Sequence, residues 1–172
     1  MRVLAAIGLM LVATPAAAAM QLASHDLKPG VPMPLMHVYT RCGGQNVSPD
    51  LAWSGQPKAA KSLVLTVIDE DVKPAWWSHW LVVDLPPSTA GLAQGLARPP
   101  AGAKAAANNF GDAAYDGPCP PHGTGVHHYR ITIWAMPGAV TVIAPDARAD
   151  QVSAMLARTA LDHASLTVTA ER

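Results

Sequence analysis

The 172-residue sequence has no apolar run long enough to cross a bilayer, which takes roughly 20 residues; the run that opens it, Val3 to Val12, is too short. Neither sign of charge is in excess: 12 Lys and Arg stand against 12 Asp and Glu. There is no basic stripe. Nucleic-acid binding, which leans on phosphate neutralisation by Lys and Arg, is therefore disfavoured. A polybasic membrane anchor is disfavoured on the same ground. No G-x-S-x-G elbow is present, which argues against serine-hydrolase chemistry of that type. No internal repeat and no linker-like break divides the chain. Cysteine is scarce, with only Cys42 and Cys119. In an oxidising compartment the two can bridge; the alternative is a pair of buried free thiols.

The N-terminal stretch has the form of a targeting segment. Met1-Arg2 is followed by an apolar run from Val3 to Val12, then Thr14-Pro15 and a string of alanines ending in an A-x-A site. Residues 1–19 are therefore expected to be a signal peptide. Residues 20–172 are expected to be one domain, periplasmic or secreted, with no membrane span in the mature chain. A retained anchor is the alternative. Loss of Arg2 leaves 11 basic residues, 12 less one, against 12 acidic ones.

Sixteen prolines and 13 glycines punctuate the chain, as suits short strands joined by irregular loops. Ser62 to Asp69 reads SLVLTVID, apolar on both faces like a strand buried between two layers. His79 to Leu85 is of the same kind. From His127 to Met136 the faces separate. His127, Tyr129, Ile131, Ile133 and Ala135 share one face, expected toward the core; His128, Arg130, Thr132 and Trp134 share the other. Pro86 to Ala107 is broken by Gly and Pro and reads as a long surface loop with at most one helical turn. One helix is expected over about Asp146 to His163, with Val152, Met155, Leu156 and Leu161 as its apolar stripe. Ser165 to Thr169 reads as a last short strand. The fold class expected is mostly β, an antiparallel β-sandwich with a C-terminal helix and long loops.

Three segments concentrate groups that can do chemistry. Asp69 follows Leu63, Leu65 and Val67 on one face of its strand, so it should sit at the rim of the core. Its neighbour Glu70 reads as a solvated turn residue. His79 opens an apolar strand among Trp76, Trp77 and Trp80. The third segment runs from Asn109 to Tyr129. In Pro118-Cys119-Pro120-Pro121 only Cys119 keeps a backbone N–H, and a rigid loop with one free donor suits an anion. Alternation points His127 and Tyr129 inward and His128 outward. Two His and a carboxylate also make a metal-ligand set, so metal-assisted hydrolysis is one alternative function.

Four stretches together carry a family resemblance: CGGQNVSPDLAW at Cys42 to Trp53, TVIDED followed by WWSHWLVVDLP, NFGDAAYDGPCPP at Asn109 to Pro121, and GVHHY at Gly125 to Tyr129. They resemble the phosphatidylethanolamine-binding protein (PEBP) family, in its bacterial Raf-kinase-inhibitor-like branch, over most of the mature chain. The resemblance implies a β-sandwich with a small pocket at one end for phosphate-like and carboxylate-like anions, no cofactor and no catalysis. It implies a ligand set of Asp69, Asp71, His79, the Cys119 backbone, Pro121, His127 and Tyr129. It also implies a protein partner, for which an envelope protease fits an exported chain better than a cytoplasmic kinase. The sequence departs from the family pattern in places. Glu70 stands for a proline, Val72-Lys73 precede Pro74, and His128 stands where an Arg is usual. The C-terminal extension of eukaryotic members is absent. These departures bear on the ligand more than on the fold.

Overall fold

The computed structural model describes residues 19–140, 143–144 and 146–172. The signal-peptide reading falls on residues 1–18, outside the described residues. Among the described residues no helix is long and apolar enough to cross a membrane.

Two antiparallel sheets and one helix make three layers. The smaller sheet has the order β1-β2-β5, from β1 (Gln21–Ala23), β2 (Leu51–Ser54) and β5 (Gly91–Leu92). The larger has the order β6-β4-β3-β7-β8, from β3 (Ser62–Asp69), β4 (Trp77–Leu85), β6 (Lys104–Ala106), β7 (His127–Met136) and β8 (Asp162–Ala170). Helix α1 (Ala149–Thr159) covers the outer face of the larger sheet.

The continuous apolar character of β3 follows from its place in the middle of this arrangement. Leu63, Leu65 and Val67 pack between the sheets with Tyr129, Ile131 and Ile133 of β7. Val64 faces the other way, toward Leu81, Val83, Trp134 and the helix residues Val152 and Leu156. Both faces are therefore dry, and every residue of β3 is buried. This also explains Trp134, which alternation places on the outer face of β7. The helix covers it, and its indole N–H donates to Thr66 Oγ1 at 3.0 Å. Leu156 is fully buried in that second core. Leu156→Ala is expected to cost about 2–5 kcal/mol, read as a lower midpoint in urea unfolding.

Three expectations need correction. The segment from Pro86 to Ala107 is not simply loop: it supplies β5 and β6, each too short and too rich in Gly or Ala to show alternation. No helix forms in it. Helix α1 is shorter than the pattern suggests. Arg148 is extended at its start, and Ala160 leaves helical geometry so that Leu161 N–H can donate to Ala135 O at 2.8 Å. Leu161 thus lies past the helix and is exposed, and Met155 is also largely exposed; the buried stripe is Ala149, Val152, Ser153 and Leu156. The last strand starts earlier than Ser165, at Asp162, because it runs the length of β7 with Ala135 opposite Asp162 and His127 opposite Ala170.

Candidate functional site

The antiparallel order brings three strand ends together. Asp69, last in β3, lies opposite Trp77 at the start of β4 and opposite Tyr129 near the start of β7. Beside them is a cavity of about 270 Å³. Asp69, His79 and Tyr129 form its polar floor. Val72, Trp77 and Phe110, with Cys119, Pro120 and Pro121, complete its walls.

A bulge puts His79 in this group. Val67 pairs with Trp80, but Ile68 pairs with Ser78, so His79 is an extra residue with no partner in β3. Bulges re-aim side chains, and they are frequent beside functional sites. Without this one, His79 and the inward-facing Trp80 would point to opposite faces. With it, the imidazole meets Tyr129 edge-on at 5.1 Å and Phe110 at 5.3 Å. His79 Nδ1 lies 2.7 Å from the carbonyl oxygen of Asp116. That oxygen only accepts, so Nδ1 carries the hydrogen. Burial pushes the His79 pKa below the usual imidazole range, against the pull of Asp116 and Asp69.

Tyr129 is fully buried, and its hydroxyl lies beside Asp69 without a hydrogen-bond partner of good geometry. Burial, helped by the Asp69 carboxyl, pushes the phenol well above its usual range, so it keeps its proton. Asp69 has both oxygens engaged. Oδ1 accepts from Asp71 N–H at 2.9 Å, and Oδ2 meets His127 Nδ1 at 2.7 Å.

The other two residues of the expected ligand set stand apart. His127 does not line the cavity. It backs Asp69, and its Nε2 is 2.9 Å from Thr124 Oγ1, so both ring nitrogens are occupied. Asp71 turns outward, and its Oδ2 takes the His128 N–H at 2.6 Å and the His128 ring Nδ1 at 2.9 Å. Partial burial works to raise the Asp71 pKa, but these His128 contacts hold it below the usual carboxylate value. Two departures from the family pattern thus find uses outside the cavity. His128 serves Asp71, while Glu70 forms an ion pair with Arg130, whose guanidinium lies 5.5 Å over the Trp76 ring.

Cys119 is bonded to Cys42, with Cα atoms 5.6 Å apart. The Pro118–Pro121 wall is therefore tied to the 3-10 turn Thr40–Cys42. A polar network braces the same wall. Asn46 Oδ1 accepts from Gly117 N–H at 2.7 Å, and Asn108 Nδ2 donates to Asp116 Oδ2 at 2.7 Å and to His79 O at 3.1 Å. A side chain at Gly117 would run into the carbonyl of His37. Asn46, Asn108 and Asp116 hold the site rather than face it. Sequence reasoning gave none of the three a role in the site, although each lies in or beside a motif stretch. It also missed Phe110 as wall. The signal available was an isolated Phe, the only one in the chain, inside a loop of small and polar residues.

Among the described residues no group of three or more His, Cys, Asp or Glu side chains is placed to hold a metal ion. The two histidines of the expected set do not converge on one point, since His127 is committed to Asp69 and Thr124.

Fold and site together define a class: an antiparallel two-sheet sandwich, helix-covered on one side, with a small acid-histidine-tyrosine cavity at one end of its inner layer. Residues 23–171 match the model of the family described as phosphatidylethanolamine-binding protein. Among curated relatives, UPF0098 protein YbcL of Escherichia coli K12 is 41% identical over 130 residues, covering 70% of each chain. The Mycobacterium tuberculosis protein named "Putative lipoprotein LppC" is 38% identical over 157 residues, 91% of this chain and 75% of that one. The crystal structure of E. coli YbcL, described as a new member of the mammalian PEBP family, superposes with a TM-score of 0.81 at 32% identity. It covers 90% of this chain and 99% of that one. The chain belongs to the phosphatidylethanolamine-binding protein family. None of these relatives is named for an enzymatic activity.

Proposed function

We infer that this protein is an exported binding protein for small oxyanions of the phosphate or carboxylate type, which it holds without transforming. The observation that carries this reading is Tyr129 Oη, a buried hydroxyl that keeps its proton, lines the cavity and, although beside Asp69, has no hydrogen-bond partner of good geometry among the described residues. Such a group costs stability unless something accepts from it. The Cys119 N–H, also without a partner among the described residues, belongs to a residue of the lining that stands between prolines with no N–H of their own. The volume suits a phosphate or carboxylate head and not a lipid tail. Export is supported by the form of the N-terminal sequence, by the disulfide and by the name of the mycobacterial relative. A protein partner, such as an envelope protease, would on this reading present its acidic or phosphorylated group to the same cavity.

Calorimetric titration with phosphoethanolamine tests the reading. One-site binding is expected, weakened about tenfold or more in Tyr129→Phe, since a hydrogen bond to a charged group contributes about 1.5–3 kcal/mol. Affinity should fall as pH rises from about 5 to about 8, because the site holds an oxyanion best with a proton at His79 or on the ligand. Undiminished binding by Tyr129→Phe, or a flat pH profile, would defeat the assignment.

A further inference from the structure

On the anion reading above, the hydrogen-bond polarity of the cavity points to a narrower ligand class. His79 donates through Nδ1 to Asp116 O, so in the neutral ring Nε2 is a bare acceptor, and it has no partner among the described residues. The groups facing this ring are Asp69 from β3, the Asp116 backbone and carboxylate and the Gly117 backbone from the loop before Pro118, and Tyr129 from β7. Among the described residues no Lys or Arg lines the cavity. Arg130 is paired with Glu70, and Arg172 lies against the disulfide and His122. Asp69 accepts from the Asp71 N–H and meets the His127 ring, one contact on each oxygen. The unpartnered groups on which a ligand's polarity turns are two donors, Tyr129 O–H and Cys119 N–H, and one acceptor, His79 Nε2, to which the Asp69 carboxylate adds only further acceptor capacity.

A ligand presenting only acceptor oxygens would set a lone pair against Nε2 beside a carboxyl. A ligand with one acidic hydroxyl satisfies all three groups: its O–H donates to Nε2, while its charged oxygens accept from Tyr129 and Cys119. We propose that the cavity selects the singly protonated form of a phosphate monoester, and discriminates against phosphodiesters, which have no hydroxyl to give His79. An intact phospholipid headgroup is a phosphodiester, so the selected ligand is a free or terminal phosphate rather than a lipid in a bilayer.

The test compares phosphoethanolamine, a monoester, with glycerophosphoethanolamine, its diester, by calorimetry on the full chain near neutral pH. The monoester should bind at least about tenfold tighter, as expected of a site built to pair with a ligand hydroxyl. Repeating the titration in buffers of different ionisation enthalpy should show proton uptake rising toward one per ligand as pH passes the monoester's second pKa, near ~6. His79→Asn keeps a donor for Asp116 O but removes Nε2, and should erase the preference. If that variant does not fold, the comparison in the unaltered protein decides alone. Equal affinities would overturn the proposal and leave the anion reading standing, whereas monoester binding without proton uptake, which by linkage is a flat pH profile, would overturn both. Binding of neither compound would overturn both.

Discussion

His127→Ala is expected to lower the free energy of unfolding by about 3–5 kcal/mol, although His127 does not touch the cavity. The ring and Asp69 form a pair buried on both sides, at 2.7 Å, with side chains 5% and 3% exposed. Removing the ring strands the carboxyl, which keeps only the Asp71 N–H. Urea unfolding near neutral pH reads the loss. Asp69→Asn in the same background should recover part of it, because the stranded group is then no longer an acid. A double-mutant cycle on the two positions should give a coupling energy well above the scatter of independent sites. A loss below about 1 kcal/mol would mean that water replaces the ring at little cost, and that Asp69 does not depend on it. Ligand affinity should fall together with stability, since Asp69 stands beside Tyr129.

Reduction of the Cys42–Cys119 bond carries the second large effect. The bridge closes a loop with a sequence separation of 77. In the chain-entropy account this restricts the unfolded chain by about 4–5 kcal/mol. Cys42→Ser with Cys119→Ser should lose most of that, seen as a lower unfolding midpoint, with the slope rising as the uncrosslinked unfolded chain expands. The functional consequence is separable. The Cys119 N–H and the Pro120–Pro121 wall are held to the Thr40–Cys42 turn by this bond. Phosphoethanolamine affinity should therefore drop about tenfold or more at temperatures where the variant remains folded. Equal affinity in the folded variant would assign the positioning of the wall to Asn46, Asn108 and Asp116 alone.

The sandwich is legible in the sequence because periodicity reports burial directly. The unbroken apolar β3 announces two covered faces, and the alternation of β7 by itself chooses His127 and Tyr129 over His128. Short elements are not legible: a two-residue strand such as Gly91–Leu92 has no period, and its pairing with Leu51 and Ala52 is decided by the partner strand. The apolar pattern overextends the helix because its stripe continues into Leu161, and the backbone turn at Ala160 that ends it has no residue signature. In the site, side-chain identity can be read but division of labour cannot. Inward direction places His127 near a ligand, yet the two contacts that occupy its nitrogens come from residues 58 positions before it and 3 before it. Asp71 enters through the family resemblance, and only the fold reveals that His128 claims it.

The bulge at His79 has a consequence for how such a cavity comes to exist at all. Strand registers count residues in twos, so one additional residue between Ser78 and Trp80 shifts what lies before it relative to what lies after. Delete it, and Trp80, Ser78 and Trp77 still lie opposite Val67, Ile68 and Asp69, now as an unbroken alternation, and Trp80 to Leu85 keep their partners. The sheet and both cores would survive such a deletion, but the polar floor would lose its imidazole. The polar floor of this fold is thus separable from its scaffold by the gain or loss of a single codon.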